Sequence, residues 1–150
     1  MEIQIRKFNK KDYAGVTDLN NSLNRSNKGD GLWNKDLRTI ENSYHLSGGE
    51  FLVAEIGDEI VGMGALLKID DVTGEVKRMR ISKNHQRKGI GLLILTKLEE
   101  FAKLNNFQRI TLDTSVQQVP AQKLYENRGY KEFDRKMIDG FDSILYEKYL

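Results

Sequence analysis

The sequence predicts a mixed α/β fold, a single twisted sheet with helices on both faces. Three observations predict it. Apolar and polar residues alternate in about seven short segments, the period of half-buried strands. The unit "EVKRMRIS", then "GLLILTKLEEFAKLNN", then "RITLDT" has the length of a parallel crossover through a helix. The remaining strand pairs are joined by short turns, which make antiparallel hairpins. At 150 residues with 39% hydrophobic content, the chain is sized for one domain, 1–150, with a substantial core.

Each element follows from local sequence. "EIQIRKF" alternates around Ile3 and Ile5 and reads as the first strand. Asn9 and Asp12 form a capping-box pattern opening a helix from Lys10 to Leu23, with Tyr13, Val16, Leu19 and Leu23 on one face. A polar, glycine-containing loop follows, holding the only tryptophan, Trp33. A shorter helix is expected over Lys35 to Tyr44. "FLVAEIGDEIVGMGALLKI" is a hairpin turning at Gly57-Asp58, and "DDVTG" is the next turn. In "EVKRMRIS" the alternation breaks between Val76 and Met79, which a one-residue bulge would explain. The long apolar helix carries Leu95, Leu98, Phe101 and Ala102 at helical spacing. "RITLDTS" is a strand, and "VPAQKLYENRG" is a short helix with Pro120 in its first turn and Gly129 as its stop. A last hairpin turns near Asp139-Gly140.

Composition excludes several classes of function. The chain has no cysteine, so disulfides, thiolate metal sites and a cysteine nucleophile are ruled out. Two histidines far apart in sequence give no pattern of metal ligands. A net charge of +2, from 24 basic and 22 acidic residues, gives no general basic excess for nucleic acid. No apolar run is long enough for a transmembrane helix, and the charged N-terminal segment lacks the apolar core expected of a signal peptide. The expectation is a soluble cytoplasmic protein with no nucleic-acid or membrane partner.

The segment "ISKNHQRKGIG" leaves a strand, crosses a basic loop and enters the long helix. A helix start exposes free N–H groups and the positive end of the dipole. Gly89 and Gly91 let a ligand approach the backbone, and Arg87 and Lys88 add positive charge. These residues describe a pyrophosphate cradle and equally a solvated basic turn. A triphosphate P-loop and a dinucleotide fingerprint are both absent.

The chain resembles the GNAT (Gcn5-related N-acetyltransferase) family. Gln86-Arg87-Lys88-Gly89-Ile90-Gly91 resembles the family's [QR]-x-x-G-x-[GA] motif, and "PAQKLYENRGYKEF" resembles its A-x-x-L-Y-E-x-x-G-[FY] segment. Both stand in the family's order, and the resemblance covers nearly the whole chain. It implies a mixed, mostly antiparallel sheet of six to seven strands with about four helices, its central parallel pair splayed around acetyl-CoA. It also implies direct transfer of the acetyl group to a primary amine of unknown identity, in a ternary complex and without a metal.

The same resemblance assigns roles. Met79 and Ile81 would contact pantetheine through their backbone, and Gln86, Arg87, Lys88, Gly89, Ile90 and Gly91 would wrap the pyrophosphate. Gln118 and Ala121 would border the cofactor, although many members carry asparagine where Gln118 stands. Tyr125 would be the general acid toward the CoA thiolate, because a phenol stays protonated at neutral pH. Glu75 is the candidate general base, with Asp113 behind it, and Trp33 is a candidate wall for the acceptor. Homodimerisation stays open. The alternative function is a non-catalytic acyl-CoA-binding regulatory or interaction module.

Overall fold

A computed structural model of the chain describes residues 2–23 and 32–150, with the side chains of 32–34 outside the description. Its strands are β1 (Ile3–Lys7), β2 (Glu50–Ile56), β3 (Glu59–Lys68), β4 (Thr73–Ile81), β5 (Arg109–Ser115), β6 (Lys131–Ile138) and β7 (Phe141–Tyr149). They form one sheet in the order β1-β2-β3-β4-β5-β7-β6. Every neighbouring pair is antiparallel except β4–β5, which is parallel. The crossover expected from sequence therefore lies at the centre of the sheet, made by helix α2 (Ile90–Leu104).

Alternation sends side chains to two cores. Leu66, Val76, Ile110, Leu112, Ile144 and Tyr146 pack with α2 and with α3 (Val119–Asn127) on one face. Leu95, Leu98 and Ala102 of the stripe read from sequence are fully buried there, Phe101 is half-buried, and Ile94 joins them in the core. On the other face Phe51, Val53, Met63 and Ala65 pack with α1 (Tyr13–Ser22) and with segment 32–45.

Two helix expectations are corrected. The helix expected over Lys10 to Leu23 begins as a 3-10 turn, Lys10–Asp12, and becomes α-helical only over Tyr13–Ser22. The capping box is present: Asn9 Oδ1 accepts from the Lys11 amide (3.1 Å) and Asp12 accepts from the Asn9 amide (2.9 Å). Arg6 also grips both oxygens of Asp12 (2.7 and 2.8 Å), which holds that first turn against β1. The helix expected over Lys35 to Tyr44 is a 3-10 helix, Leu32–Arg38, followed by a π-helical turn, Glu41–His45. This change of coil keeps Leu37, Ile40 and Tyr44 all in the core.

The break in alternation on β4 is a bulge. Ala65 pairs with Lys77 and Met63 with Arg80, so β4 spends three residues where β3 spends two. Arg78 takes the left-handed conformation there, at φ +59°. The residue opposite is Gly64, where a Cβ would stand 2.5 Å from both Met79 Sδ and Ile94 Cγ2. Only a residue without a side chain lets the bulge seat this closely against α2.

Candidate active site

β4 and β5 pair at only three positions, Thr73–Arg109, Gly74–Ile110 and Glu75–Thr111. Beyond them β4 stays with β3 as far as Ile81, and β5 stays with β7 as far as Ser115. The two central strands therefore diverge and leave an open edge on each. The Ser82 amide donates to the Val61 carbonyl (2.8 Å), toward β3. By strand alternation, the amide and carbonyl of Ile81 face the opening instead. Two side chains already reach carbonyls of this edge: Arg80 Nη1 donates to Met79 (3.1 Å) and Gln86 Nε2 to Ile81 (3.0 Å). Gln86 thus ties the basic loop to the end of the strand it follows.

That loop runs through a 3-10 turn, Lys83–His85, into α2. Its own contact is short: Ser82 Oγ and His85 Nδ1 lie 2.6 Å apart. Arg87 (φ +64°) and Gly89 (φ +83°) both adopt left-handed backbone, which curls the chain over the start of α2. No side chain caps α2 at Gly89, so its first-turn amides keep their donors. A Cβ on Gly89 would meet nothing within 4 Å. The glycine is required by backbone conformation, and the space beside it is open. This geometry suits an anion, with Lys83, Arg87 and Lys88 close by in sequence.

Tyr125 stands on α3 and packs into the larger core cluster. It is 5% exposed, packed edge-on against Tyr130 (5.9 Å) and tilted against Tyr146 (6.3 Å). Burial pushes its hydroxyl up to about 12, with Arg80 pulling it down and Asp113 pushing it up. Arg80 and Asp113 belong to the two splayed strands, on the far face of the sheet from α3.

Glu75 marks the fork itself. Its side chain lies on the α1 side, as does that of Leu67, its partner on β3. Burial raises its carboxyl above the ordinary range; nearby Lys77 (3.9 Å) opposes this and Asp113 reinforces it. Asp113 is raised for the same first reason, and it senses Lys77, Asp139, Lys136 and Arg80 in turn. Two carboxyls with raised proton affinity thus flank the mouth of the opening.

Gln118 sits before α3, its Oε1 accepting from Thr114 Oγ1 (3.0 Å), so that oxygen is committed to the fold. Ala121 packs against the larger core cluster. The Trp33 side chain lies outside the described residues. The sequence reading missed Asp36 and Tyr44, which lock onto Arg78 at the bulge, and it missed Arg80. The break in alternation was the one signal pointing to Arg78. A separate open groove of about 550 Å³ lies between α1 and the β2–β3 hairpin, lined by Asp18, Asp58 and Glu59 and reaching Ser82. It includes neither Tyr125 nor Glu75.

Comparison with known proteins agrees with this geometry. The model of the Acetyltransferase (GNAT) family matches residues 16–130. An uncharacterized N-acetyltransferase of Bacillus subtilis, YsnE, is 40% identical over 77 residues, covering 50% of this chain and 51% of that protein. The chain spans about half the length of the curated relatives it matches. A GNAT-family acetyltransferase structure from Staphylococcus aureus Mu50 superposes with a TM-score of 0.89 at 27% identity, over 99% of both chains. Salmonella typhimurium yncA, solved with its cofactor acetyl-CoA, shares the fold at a TM-score of 0.83 and 19% identity, over 99% of this chain and 94% of that one. The diverging parallel pair, the glycine loop and the matched family model lead to one conclusion: this chain belongs to the GNAT acetyltransferase family.

Proposed function

We propose that the protein is an acetyl-CoA-dependent N-acetyltransferase that moves an acetyl group directly to a primary amine. The observation that carries this reading is the divergence of β4 and β5, with the uncapped start of α2 after β4 and Tyr125 within electrostatic reach of Arg80 and Asp113 on the two diverging strands. Pantetheine, with its two amides, would pair with the open edge of β4 at Met79 and Ile81, as an added strand does. The pyrophosphate would rest on the loop Gln86–Gly91. Gln118 and Ala121 would flank the cofactor from α3. The structure with acetyl-CoA cited above supports this placement at the level of the fold.

The chemistry follows from the placed groups. An acceptor ammonium must lose a proton before attack, and Glu75 takes it, directly or through a water. The neutral amine then attacks the thioester carbonyl, the C–S bond breaks, and the electron pair leaves on sulfur. Tyr125 meets that sulfur with its O–H. A phenol held near 12 is a weaker acid than a thiol of about 8.5. Tyr125 therefore acts chiefly as a hydrogen-bond donor to the leaving thiolate, and the second amine proton becomes the thiol proton. With no cysteine in the chain, no cysteinyl acyl-enzyme can form, which favours a ternary complex.

Thermal denaturation with saturating acetyl-CoA tests the reading first, and a panel of amines with a thiol-release assay tests it second. A rise in Tm with acetyl-CoA and CoA release with at least one amine are expected. No rise in Tm would sink the cofactor assignment. Binding without release across a broad panel would leave a non-catalytic acyl-CoA module.

A further inference from the structure

We propose that Asp36 and Arg78 are positioning residues that hold the β4 bulge, and through it the open edge on which acetyl-CoA would bind. This inference rests on the acetyl-CoA reading above.

Arg78 stands at φ +59°, a conformation that residues with a Cβ avoid. Such a residue persists only where its surroundings over-determine it. Among the described residues, those surroundings include a fork of two bonds to Asp36. Arg78 Nε donates to Asp36 Oδ2 (3.0 Å) and Nη2 to Asp36 Oδ1 (2.6 Å). Asp36 is fixed in turn by the Tyr44 O–H (2.6 Å). Tyr44 is 1% exposed and packs edge-on against Phe51 of β2 (5.3 Å). A chain of contacts therefore runs from the α1-side core to the position on β4 where its register with β3 slips.

The charges favour this arrangement. Burial opposes the Arg78 charge, and Asp36 outweighs that cost, leaving the guanidinium more firmly protonated than usual. Burial likewise works against the Asp36 carboxylate, and Arg78 and Tyr44 together hold it below its ordinary value. Each partner is thus ionised because the other is present.

What the bulge controls is the direction of the residues after it. A strand that loses one bulged residue turns each following group to the opposite side. Met79 and Ile81 would then turn their amides toward β3, and Arg80 would leave the Met79 carbonyl. The opening would lose the donors that pantetheine needs.

The test is a rescue experiment. Asp36→Ala, Arg78→Gly and the double variant are titrated with acetyl-CoA by calorimetry, with Tm followed by circular dichroism. Glycine accepts a left-handed φ without any clamp. Asp36→Ala is expected to weaken acetyl-CoA about ten-fold, because Arg78 then holds a strained backbone without the Asp36 fork. Arg78→Gly and the double variant are expected to bind within about three-fold of wild type, because the bulge no longer needs Asp36. A role in overall stability alone would lower Tm in all three and give no rescue. Should Asp36→Ala fail to fold, Asp36→Asn enters the same cycle with its shape kept and its charge removed. Wild-type affinity in the Asp36 variant, or a double variant as weak as that single one, overturns the proposal. A wild-type protein that binds no acetyl-CoA overturns the cofactor reading and this proposal together.

Discussion

Glu75 and Thr111 are the last residues at which β4 and β5 pair, so the Glu75 carboxyl stands at the point where the sheet opens. Its neighbours on the paired side are the buried Gly74 and Thr73, and beyond it come Lys77 and the bulge. A carboxyl in this position is partly desolvated by the strands yet reachable from the opening.

This placement makes Glu75 testable by pH. A base works when deprotonated, and burial raises the Glu75 carboxyl above its ordinary 4.5. The acidic limb of kcat/KM should therefore lie above 4.5, with the rate rising as pH rises through it. Glu75→Gln should lower kcat/KM by about 10²-fold and remove the limb. Asp113→Asn removes a negative neighbour that helps raise Glu75, so the limb should move to lower pH with modest loss of rate. A limb that ignores both changes would assign proton removal to another group.

Tyr125→Phe isolates the hydroxyl. The ring packing against Tyr130 and Tyr146 is kept, so Tm should change by little. Acetyl-CoA affinity should stay within about three-fold while kcat falls by about 10²-fold, since the lost bond forms to the leaving sulfur. Because burial pushes the hydroxyl up to about 12, no basic limb from Tyr125 should appear below about pH 10. Full turnover by the phenylalanine variant would remove Tyr125 from the chemistry.

The sequence made the strands, their hairpins and the central parallel crossover legible because those signals are local, whereas the insertion of β7 between β5 and β6 had no local signal. Period-two alternation, the turns at Gly57-Asp58 and Asp139-Gly140 and one long apolar helix force the order of elements. The segment between Lys35 and Tyr44 departs from a regular α-helix because it must seat Leu37, Ile40 and Tyr44 in the core while Asp36 meets Arg78, 42 residues away on β4. The bulge itself was visible as a break in alternation, but its clamp was not, since Asp36 and Tyr44 look like ordinary helix residues. Tyr125 and the loop Gln86–Gly91 stood out only through motifs. Arg80 and Asp113 lie 45 and 12 residues before Tyr125, and no spacing in the chain marks either as its electrostatic neighbour.

Gly89 and Gly140 form a matched pair for testing the loop. Their φ values are +83° and +84°, and a Cβ on either would meet nothing within 4 Å. Alanine at either site should therefore cost the same backbone strain, about 1 kcal/mol, and lower Tm by a few degrees. Gly89 opens α2, whereas Gly140 lies in the β6–β7 turn. The rise in Tm produced by acetyl-CoA should shrink in Gly89→Ala and be unchanged in Gly140→Ala. Equal shrinkage in both would take the pyrophosphate away from this loop.

Acid should unfold the protein through carboxylates far from the opening. Glu99 on α2 is 3% exposed and accepts from Arg128, from the Tyr130 hydroxyl (3.0 Å) and from Lys148 Nζ (3.0 Å). Burial alone would raise its carboxyl; Arg128, Lys148 and Tyr130 outweigh burial and hold it below 4.5. Asp12 is held below 3.8 chiefly by its bonds to Arg6. In the unfolded chain these groups titrate at their ordinary values, so the unfolded state binds more protons as pH falls. The stability they supply is complete above about pH 5 and is lost as pH falls through their lower folded values. Glu75 and Asp113 work the other way, since their raised carboxyls favour the folded state at low pH and lose that advantage as pH rises through their folded values. Glu99→Gln should thus cost about 2 kcal/mol at pH 7, because Arg128 and Lys148 lose their shared partner while remaining partly solvated. Its Tm should fall by about 5 °C at pH 7, and the gap to wild type should narrow as pH falls toward 3. Tm measured from pH 7 to pH 3 on both proteins checks this, and a gap that stays constant would show that Glu99 holds α2, α3 and β7 together by shape and not by charge.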